Sequence, residues 1–244
     1  MKHPINAYFD EVYWINTPRR SGRRNSISKR LIDANIQATR IEGIDGDLVK
    51  YLMGTDQRDN HRFYVSCLLS HLHAINIAYE AGHESVLILE DDVRIHKESA
   101  SIFNEFIKTP IMVDRSWDLL YLGFIPVSDD NLRWDYSLVL SDVVQDSTGF
   151  LKANNSYTGA YAYAINRKMM AYLLEHLSNY DQSIWGVDEW LRQKFYPTNI
   201  DHNNYGLVPQ IFAHDNGEST TNGLVEDRMT RSACPYFSKP EDYL

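Results

Sequence analysis

Val86-Leu87-Ile88-Leu89-Glu90-Asp91-Asp92 is the most informative stretch of the 244-residue chain. Four consecutive apolar residues without polar alternation predict a strand buried on both faces, as in the interior of a mainly parallel sheet. Three carboxylates follow at once. Packed like charges raise one another's pKa, so the triplet needs a compensating cation. In an extended chain Glu90 and Asp92 project to one side and Asp91 to the other, which lets the outer pair face a common ion. Hard oxygen ligands suit Mg²⁺ or Mn²⁺, which complete their shells with water and substrate phosphates. An exposed acidic strand end capping the next helix is the plainer alternative. The position favours a ligand, because open α/β sheets bind ligands at the carboxyl ends of their strands.

Outward from this strand, the pattern alternates. Upstream, Val65, Leu68, Leu69, Leu72, Ile75 and Tyr79 fall on one face of a helix over 63–79 that Gly82 ends. Before it stand a strand-like Val12-Tyr13-Trp14-Ile15, a helix with Ile27, Leu31, Ile32 and Ile36 in register, a short β stretch at 39–41 and a turn at Gly43-Ile44-Asp45-Gly46. Downstream come a helix with Ile102, Phe103, Phe106 and Ile107, a buried strand over 118–122, a strand over 160–165, a helix over 167–177, a short helix over 187–195 and a last strand over 207–214. Such alternation predicts an α/β fold with a mainly parallel central sheet flanked by helices. A single domain over 1–227 is expected, with a tail at 228–244 packed on it or extending from it. The irregular stretch 125–155, with Trp134 and Tyr136, reads as the place where an acceptor is met.

Charge sharpens the reading. The chain carries a net charge of −9, which argues against a nucleic-acid or anionic-membrane binder. Residues 1–40 nevertheless hold eight bases against three acids, and six of those bases lie between Arg19 and Arg30. Arginines that follow a strand and open a helix can meet a diphosphate, helped by backbone N–H groups and the helix dipole; a solvated helix face is the plainer reading. Two cysteines, Cys67 and Cys234, support neither a disulfide scaffold nor a zinc ribbon. No signal peptide or membrane span is evident, so a cytoplasmic protein is expected.

Three segments in order resemble glycosyltransferase family 25, which includes bacterial lipooligosaccharide and procollagen galactosyltransferases. They are Tyr13-Trp14-Ile15-Asn16-Thr17-Pro18-Arg19-Arg20 with Arg23-Arg24, then Ser66-Cys67-Leu68-Leu69-Ser70-His71-Leu72, then Leu87-Ile88-Leu89-Glu90-Asp91-Asp92-Val93. Tyr157 to Leu174 is similar to a later strand and helix of the family. The resemblance implies a GT-A fold and inverting transfer of a hexose, galactose or glucose, from a UDP-sugar to a hydroxyl of a glycan or protein-linked acceptor. It implies Mn²⁺ or Mg²⁺ held by Glu90 and Asp92, with Asp92 the leading direct ligand. His214 is similar to a metal-binding histidine of the related lysyl hydroxylase domain. Ile15, Asn16, Thr17, Arg20, Arg24 and Asp45 are expected around the nucleotide, with Ser70, His71 and Asp91 supporting it. Glu218-Ser219-Thr220 stands where the similar segment ends in Lys. The basic contact to the leaving diphosphate is therefore either absent or supplied by Arg20 or Arg24.

Inverting transfer needs a base for the acceptor hydroxyl and a Lewis acid for the departing diphosphate. Asp188 is the first base candidate and Glu189 the second, with Trp185 or Trp190 placed to stack on a sugar; carboxylates at a helix start are also favoured by the dipole alone. The competing readings are a non-catalytic sugar- or protein-binding module that kept the fold, a nucleotide-sugar pyrophosphorylase and a metal-dependent phosphohydrolase. A pyrophosphorylase would open with a Gly-rich phosphate loop, for which Ser21-Gly22 is too short.

Overall fold

The structure, a computed structural model, describes residues 2–53, 61–126, 149–152, 157–176, 187–188, 203–215, 217–218, 225–226 and 240–244. A short helix α1 (Pro4–Tyr8) leads into β1 (Glu11–Asn16), α2 (Ser21–Asp33), β2 (Thr39–Glu42), α3 (Gly46–Met53) and the long α4 (His61–Glu80). Gly82, at φ +78°, ends α4 in a Schellman motif: Gly82 N–H bonds the Tyr79 carbonyl at 3.1 Å and His83 N–H that of Ala78 at 3.2 Å. Only glycine adopts that backbone conformation without a Cβ penalty. The apolar run is β3 (Ser85–Glu90), followed by β4 (Val93–Ile95), α5 (Ser99–Phe106), α6 (Pro110–Val113), β5 (Leu119–Pro126), β6 (Phe150–Lys152), β7 (Tyr157–Asn166), α7 (Arg167–Glu175), β8 (Asn204–Leu207) and β9 (Phe212–His214).

Seven strands form the main sheet in the order β2-β1-β3-β7-β5-β8-β6. Parallel pairing of β1 with β2 and β3, and of β5 with β8, gives five strands one direction, while β7 and β6 run against them. The sheet is thus mainly parallel, with one antiparallel strand, β7, between its two halves. The expected single strand over 207–214 is two. Pro209 lacks the N–H that a continuing ladder would use, so β8 stays in the main sheet and β9 pairs with β4 instead.

Helices cover both faces. Val86 and Ile88 join Tyr13, Ile15 and Tyr163 beneath Leu68, Leu72 and Ile75 of α4 and Met170 and Leu173 of α7. Leu87 and Leu89 face the other way, with Val12 and Trp14, onto Ile27 and Leu31 of α2 and Phe103 of α5. Both faces of β3 are therefore buried, which is why its sequence shows no polar alternation. The chain end packs as well: Tyr243 bridges to His96, and its hydroxyl donates to the Gln210 carbonyl at 3.0 Å. Among the described residues, no helix is long and apolar enough to cross a membrane.

Candidate active site

The carboxyl ends of β1 and β3 lie side by side, with Ile15 opposite Glu90, and a cavity of about 280 Å³ opens there. Its wall includes Ile15, Thr17, Arg19, Arg20 and Arg23 from the β1–α2 corner, and Ile44, Asp45 and Gly46 after β2. Phe63, Ser66, Cys67, Ser70 and His71 come from α4, and Glu90 and Asp91 from the end of β3. The sheet alternation dictates how the three carboxylates split. Glu90 continues the face of Val86 and Ile88 and so meets α4, where His71 Nε2 is 3.2 Å from Glu90 Oε1. Asp91 continues the face of Leu87 and Leu89 and meets α2.

Asp91 is tightly held. Its Oδ2 accepts from Asn16 Nδ2 at 2.6 Å, and its Oδ1 from Arg23 Nη1 at 3.2 Å. The same Arg23 nitrogen donates to Asp92 Oδ2 at 2.7 Å. His214, at the end of β9, places Nε2 3.3 Å from that Asp92 oxygen. Its other ring nitrogen, Nδ1, lies 2.7 Å from the Asp215 carbonyl. Burial, reinforced by the charge of Asp92, pushes the Asp91 carboxyl up to about 6 against the pull of Asn16 and Arg23. Burial opposes the charge on Arg23, yet Asp92 and Asp91 hold its pKa above the ordinary value.

The extended-chain expectation that Glu90 and Asp92 share one side is not met. β3 ends at Glu90 and the chain turns at Asp91 and Asp92, so the two-residue alternation stops before Asp92. The structure brings Asp91, Asp92, Arg23 and His214 together and gives Glu90 to His71. One feature of the first group suits a divalent cation. Asp92 Oδ1 is buried and has no hydrogen-bond partner among the described residues, which is a costly state for a carboxylate oxygen. Carboxylates with an imidazole are a donor set that Mn²⁺ accepts.

The other expected residues are placed as follows. Asn16 lies behind the wall, buried, with Arg40 Nε donating to its Oδ1 at 3.3 Å. Ser70 Oγ accepts from Ile44 N–H at 2.8 Å and donates to the Ser66 carbonyl at 2.6 Å, tying the loop after β2 to α4. Asp45 receives Arg19 Nε at 2.7 Å. Arg24 is exposed on α2 and does not line the cavity; Arg23 stands there instead. Asp188 accepts from the Gly159 N–H at 3.2 Å, and its charge reaches the Cys67 thiol. Glu189, Trp185, Trp190, Trp134 and Tyr136 lie outside the described residues.

Arg23, Phe63 and Cys67 are site residues that the sequence reading missed. For Arg23 the signal was present. It precedes the buried Ile27 and Leu31 by one and two helical repeats of four, so it shares their inward face, while Arg24 is turned a further 100° or so away. Phe63 had no comparable signal, since its role rests on contact with Gly46, where a Cβ would lie 2.6 Å from the Phe63 ring.

Fold and site together define an α/β protein whose arginine-rimmed, acid-floored cavity sits at the carboxyl ends of parallel strands. Comparison with known proteins is specific. The profile of "Glycosyltransferase family 25 (LPS biosynthesis protein)" matches residues 9–191, and the chain belongs to that family. Human procollagen galactosyltransferase 2 is 25% identical over 136 residues, covering 50% of this chain and 22% of the relative. Human inactive glycosyltransferase 25 family member 3 is 27% identical over 259 residues, covering 99% of this chain and 38% of the relative. The chain thus matches well under half the length of these relatives. Among solved structures, a glycosyltransferase involved in glycosylating the major capsid of PBCV-1 superposes with a TM-score of 0.45 at 8% identity, covering 86% of this chain and 94% of that one.

Proposed function

We propose that this chain is an inverting, metal-dependent hexosyltransferase that moves galactose or glucose from a UDP-sugar to a hydroxyl of a glycan or protein-linked acceptor. The observation that carries this is the buried Asp91–Asp92 pair at the end of β3, backed by His214, with Asp91 lining a cavity rimmed by Arg19, Arg20 and Arg23. Asp92 and His214, with Asp91 beside them, would hold Mn²⁺ or Mg²⁺, which when bound supplies Lewis-acid stabilisation of the diphosphate leaving group.

The chain's own residues do the rest. Arg20 stands at the start of α2 with no side-chain cap on the helix, so first-turn N–H groups and the Arg20 and Arg23 guanidinia converge where a diphosphate binds. Phe63 lines the same cavity, where its ring would pack against the nucleobase of the donor. Asp188, oriented by the Gly159 N–H, accepts the proton of the acceptor hydroxyl as it attacks the anomeric carbon from the side opposite the diphosphate. The test is nucleotide release from a panel of sugar nucleotides with and without Mn²⁺. Mn²⁺-dependent release of UDP, lost in Asp92→Asn, is expected; no metal-dependent release from any donor refutes the reading.

One observation favours a second reading. Arg23 bridges both carboxylates and thereby supplies the pair with a built-in positive partner, as a non-catalytic module that kept the fold would need. Saturable UDP-sugar binding without nucleotide release under any metal condition would favour that module.

A further inference from the structure

The floor of the cavity holds a second group of ligating side chains, away from Asp92 and His214. One ligand atom each from Cys67, His71 and Glu90 lies within 4.8 Å of the others, and all three residues line the cavity. Cys67 and His71 are four residues apart on α4, so both project from one face toward the end of β3. His71 is fixed from behind: its Nδ1 is 3.0 Å from the hydroxyl of Tyr163, which is fully buried. A ligating histidine characteristically has its other ring nitrogen held in this way.

We propose that Cys67, His71 and Glu90 form a binding site for a thiophilic divalent cation of the Zn²⁺ class, with a fourth coordination position open to the cavity. The inference is independent of the transferase reading. Tetrahedral bonds of about 2.0–2.3 Å hold neighbouring ligand atoms roughly 3.3–3.8 Å apart. His71 Nε2 and Glu90 Oε1, at 3.2 Å, are nearly there. The thiol, within 4.8 Å of both, needs a shift of about 1 Å at most to reach that tetrahedral spacing. Thiolate and imidazole select Zn²⁺ or Co²⁺ over the hard cations that suit the Asp91–Asp92 pair. The surroundings are anionic: Glu90, Asp188, Asp92 and Asp91 all act on the Cys67 thiol, which burial already pushes well above its ordinary pKa. On binding, the thiol proton leaves to solvent. The imidazole proton then sits on Nδ1, where the Tyr163 oxygen accepts it.

Titrating the metal-free chain with Co²⁺ and then Zn²⁺ tests this by absorption spectroscopy. The expected result is a thiolate-to-cobalt charge-transfer band that saturates at one equivalent and is bleached by Zn²⁺. Cys67→Ser abolishes the band, and Tyr163→Phe weakens Co²⁺ binding by about tenfold or more through the lost support. Asp92→Asn, verified as folded by circular dichroism, keeps the band. Absence of the band in the unsubstituted chain, its persistence in Cys67→Ser or its loss in folded Asp92→Asn overturns the assignment.

Discussion

Replacing Arg23 by Met should destabilise the chain in a strongly pH-dependent way. Met retains most of the aliphatic stem and removes the charge. Arg23 is 19% exposed and its nitrogen serves two carboxylates that are each about 10% exposed, so the substitution leaves two adjacent buried acids short of their cation. Asp91 titrates near 6 even with Arg23 in place, against an ordinary value of 3.8. A raised folded-state pKa means that the stability of the protonated state is present below the ordinary value and is lost as pH rises through the folded one. In the unsubstituted chain that loss, about 3 kcal/mol at 1.36 kcal/mol per unit, is complete soon above pH 6. Without Arg23 the Asp91 pKa rises further, so the loss continues. Each unit above 6 adds about 1.4 kcal/mol until the new pKa is reached, so the Asp91 part of the Arg23→Met penalty at pH 8 is at most about 3 kcal/mol. At pH 5 Asp91 is protonated in both folded chains, so its share of the penalty is absent and what remains is the packing cost and the lost Arg23–Asp92 ion pair. Urea unfolding of the two proteins at pH 5, 7 and 8 measures the difference directly. Equal destabilisation at pH 5 and pH 8 would refute the account, as would a more stable variant at pH 8. Mn²⁺ should raise the melting temperature of Arg23→Met more than that of the parent, because the cation then has the carboxylates to itself.

Three further outcomes follow from other parts of the molecule. His3 is buried, and desolvation lowers its pKa from 6.5 to about 4; its Nδ1 accepts from Ile5 N–H at 3.2 Å and its Nε2 lies 3.2 Å from Ser99 Oγ. A depressed pKa puts the stability above 6.5, so up to about 3 kcal/mol is lost as pH falls from 6.5 to 4; a His3→Gln chain should lose much less over that window, and an equally steep loss measured by urea unfolding would contradict the assignment. At Gly123, an added Cβ would stand 2.5 Å from both the Phe212 carbonyl oxygen and the Tyr161 ring, so Gly123→Ala should cost about 1–3 kcal/mol by overpacking, read as a lowered melting temperature. Asp92→Asn should cut UDP release about a hundredfold or more, the equivalent of several kcal/mol of Lewis-acid stabilisation, with an unchanged circular dichroism spectrum; wild-type turnover would remove Asp92 from the metal site.

The sequence already contained the local half of this site. Apolar runs and four-residue repeats are properties of one element, so the unbroken run of β3, the long α4 helix and the inward stripe of Arg23, Ile27 and Leu31 could all be read from the local sequence. Ser70 and His71 came into view only through the family resemblance of the segment Ser66 to Leu72, since sharing α4 with Leu68 and Leu72 does not by itself mark a site residue. Two kinds of feature could not be read locally. The first is where a pattern stops: nothing in Glu90-Asp91-Asp92 announces that the strand ends at Glu90, yet that end decides which acids become neighbours. The second is pairing across the chain. His214 reaches Asp92 only because β9 leaves the main sheet after Pro209 and pairs with β4, bringing Val93 opposite His214. Tyr163 meets His71 only because β7 enters the sheet antiparallel beside β3, with Tyr163 opposite Ile88.

That second dependence explains how one acidic strand end can serve two chemically different environments. Successive residues of a strand face opposite sides of the sheet, so Glu90 and Asp91 are delivered to different helices although they are adjacent in sequence. On the α4 side Glu90 meets an imidazole and a thiol, which are soft or borderline donors. On the α2 side Asp91 meets an amide and a guanidinium, and the turn then carries Asp92 to the same guanidinium and to His214. The main chain between them is too short to let either carboxylate cross the sheet. Exchanging the roles of the two acids would therefore require moving the end of β3 by one residue. Inserting an alanine between Leu89 and Glu90 should place the alanine on the His71 face and the glutamate on the Arg23 face, abolishing the Co²⁺ band while Arg23 still meets two consecutive carboxylates. An insertion that left the Co²⁺ band intact would show that the strand alternation does not separate the two environments.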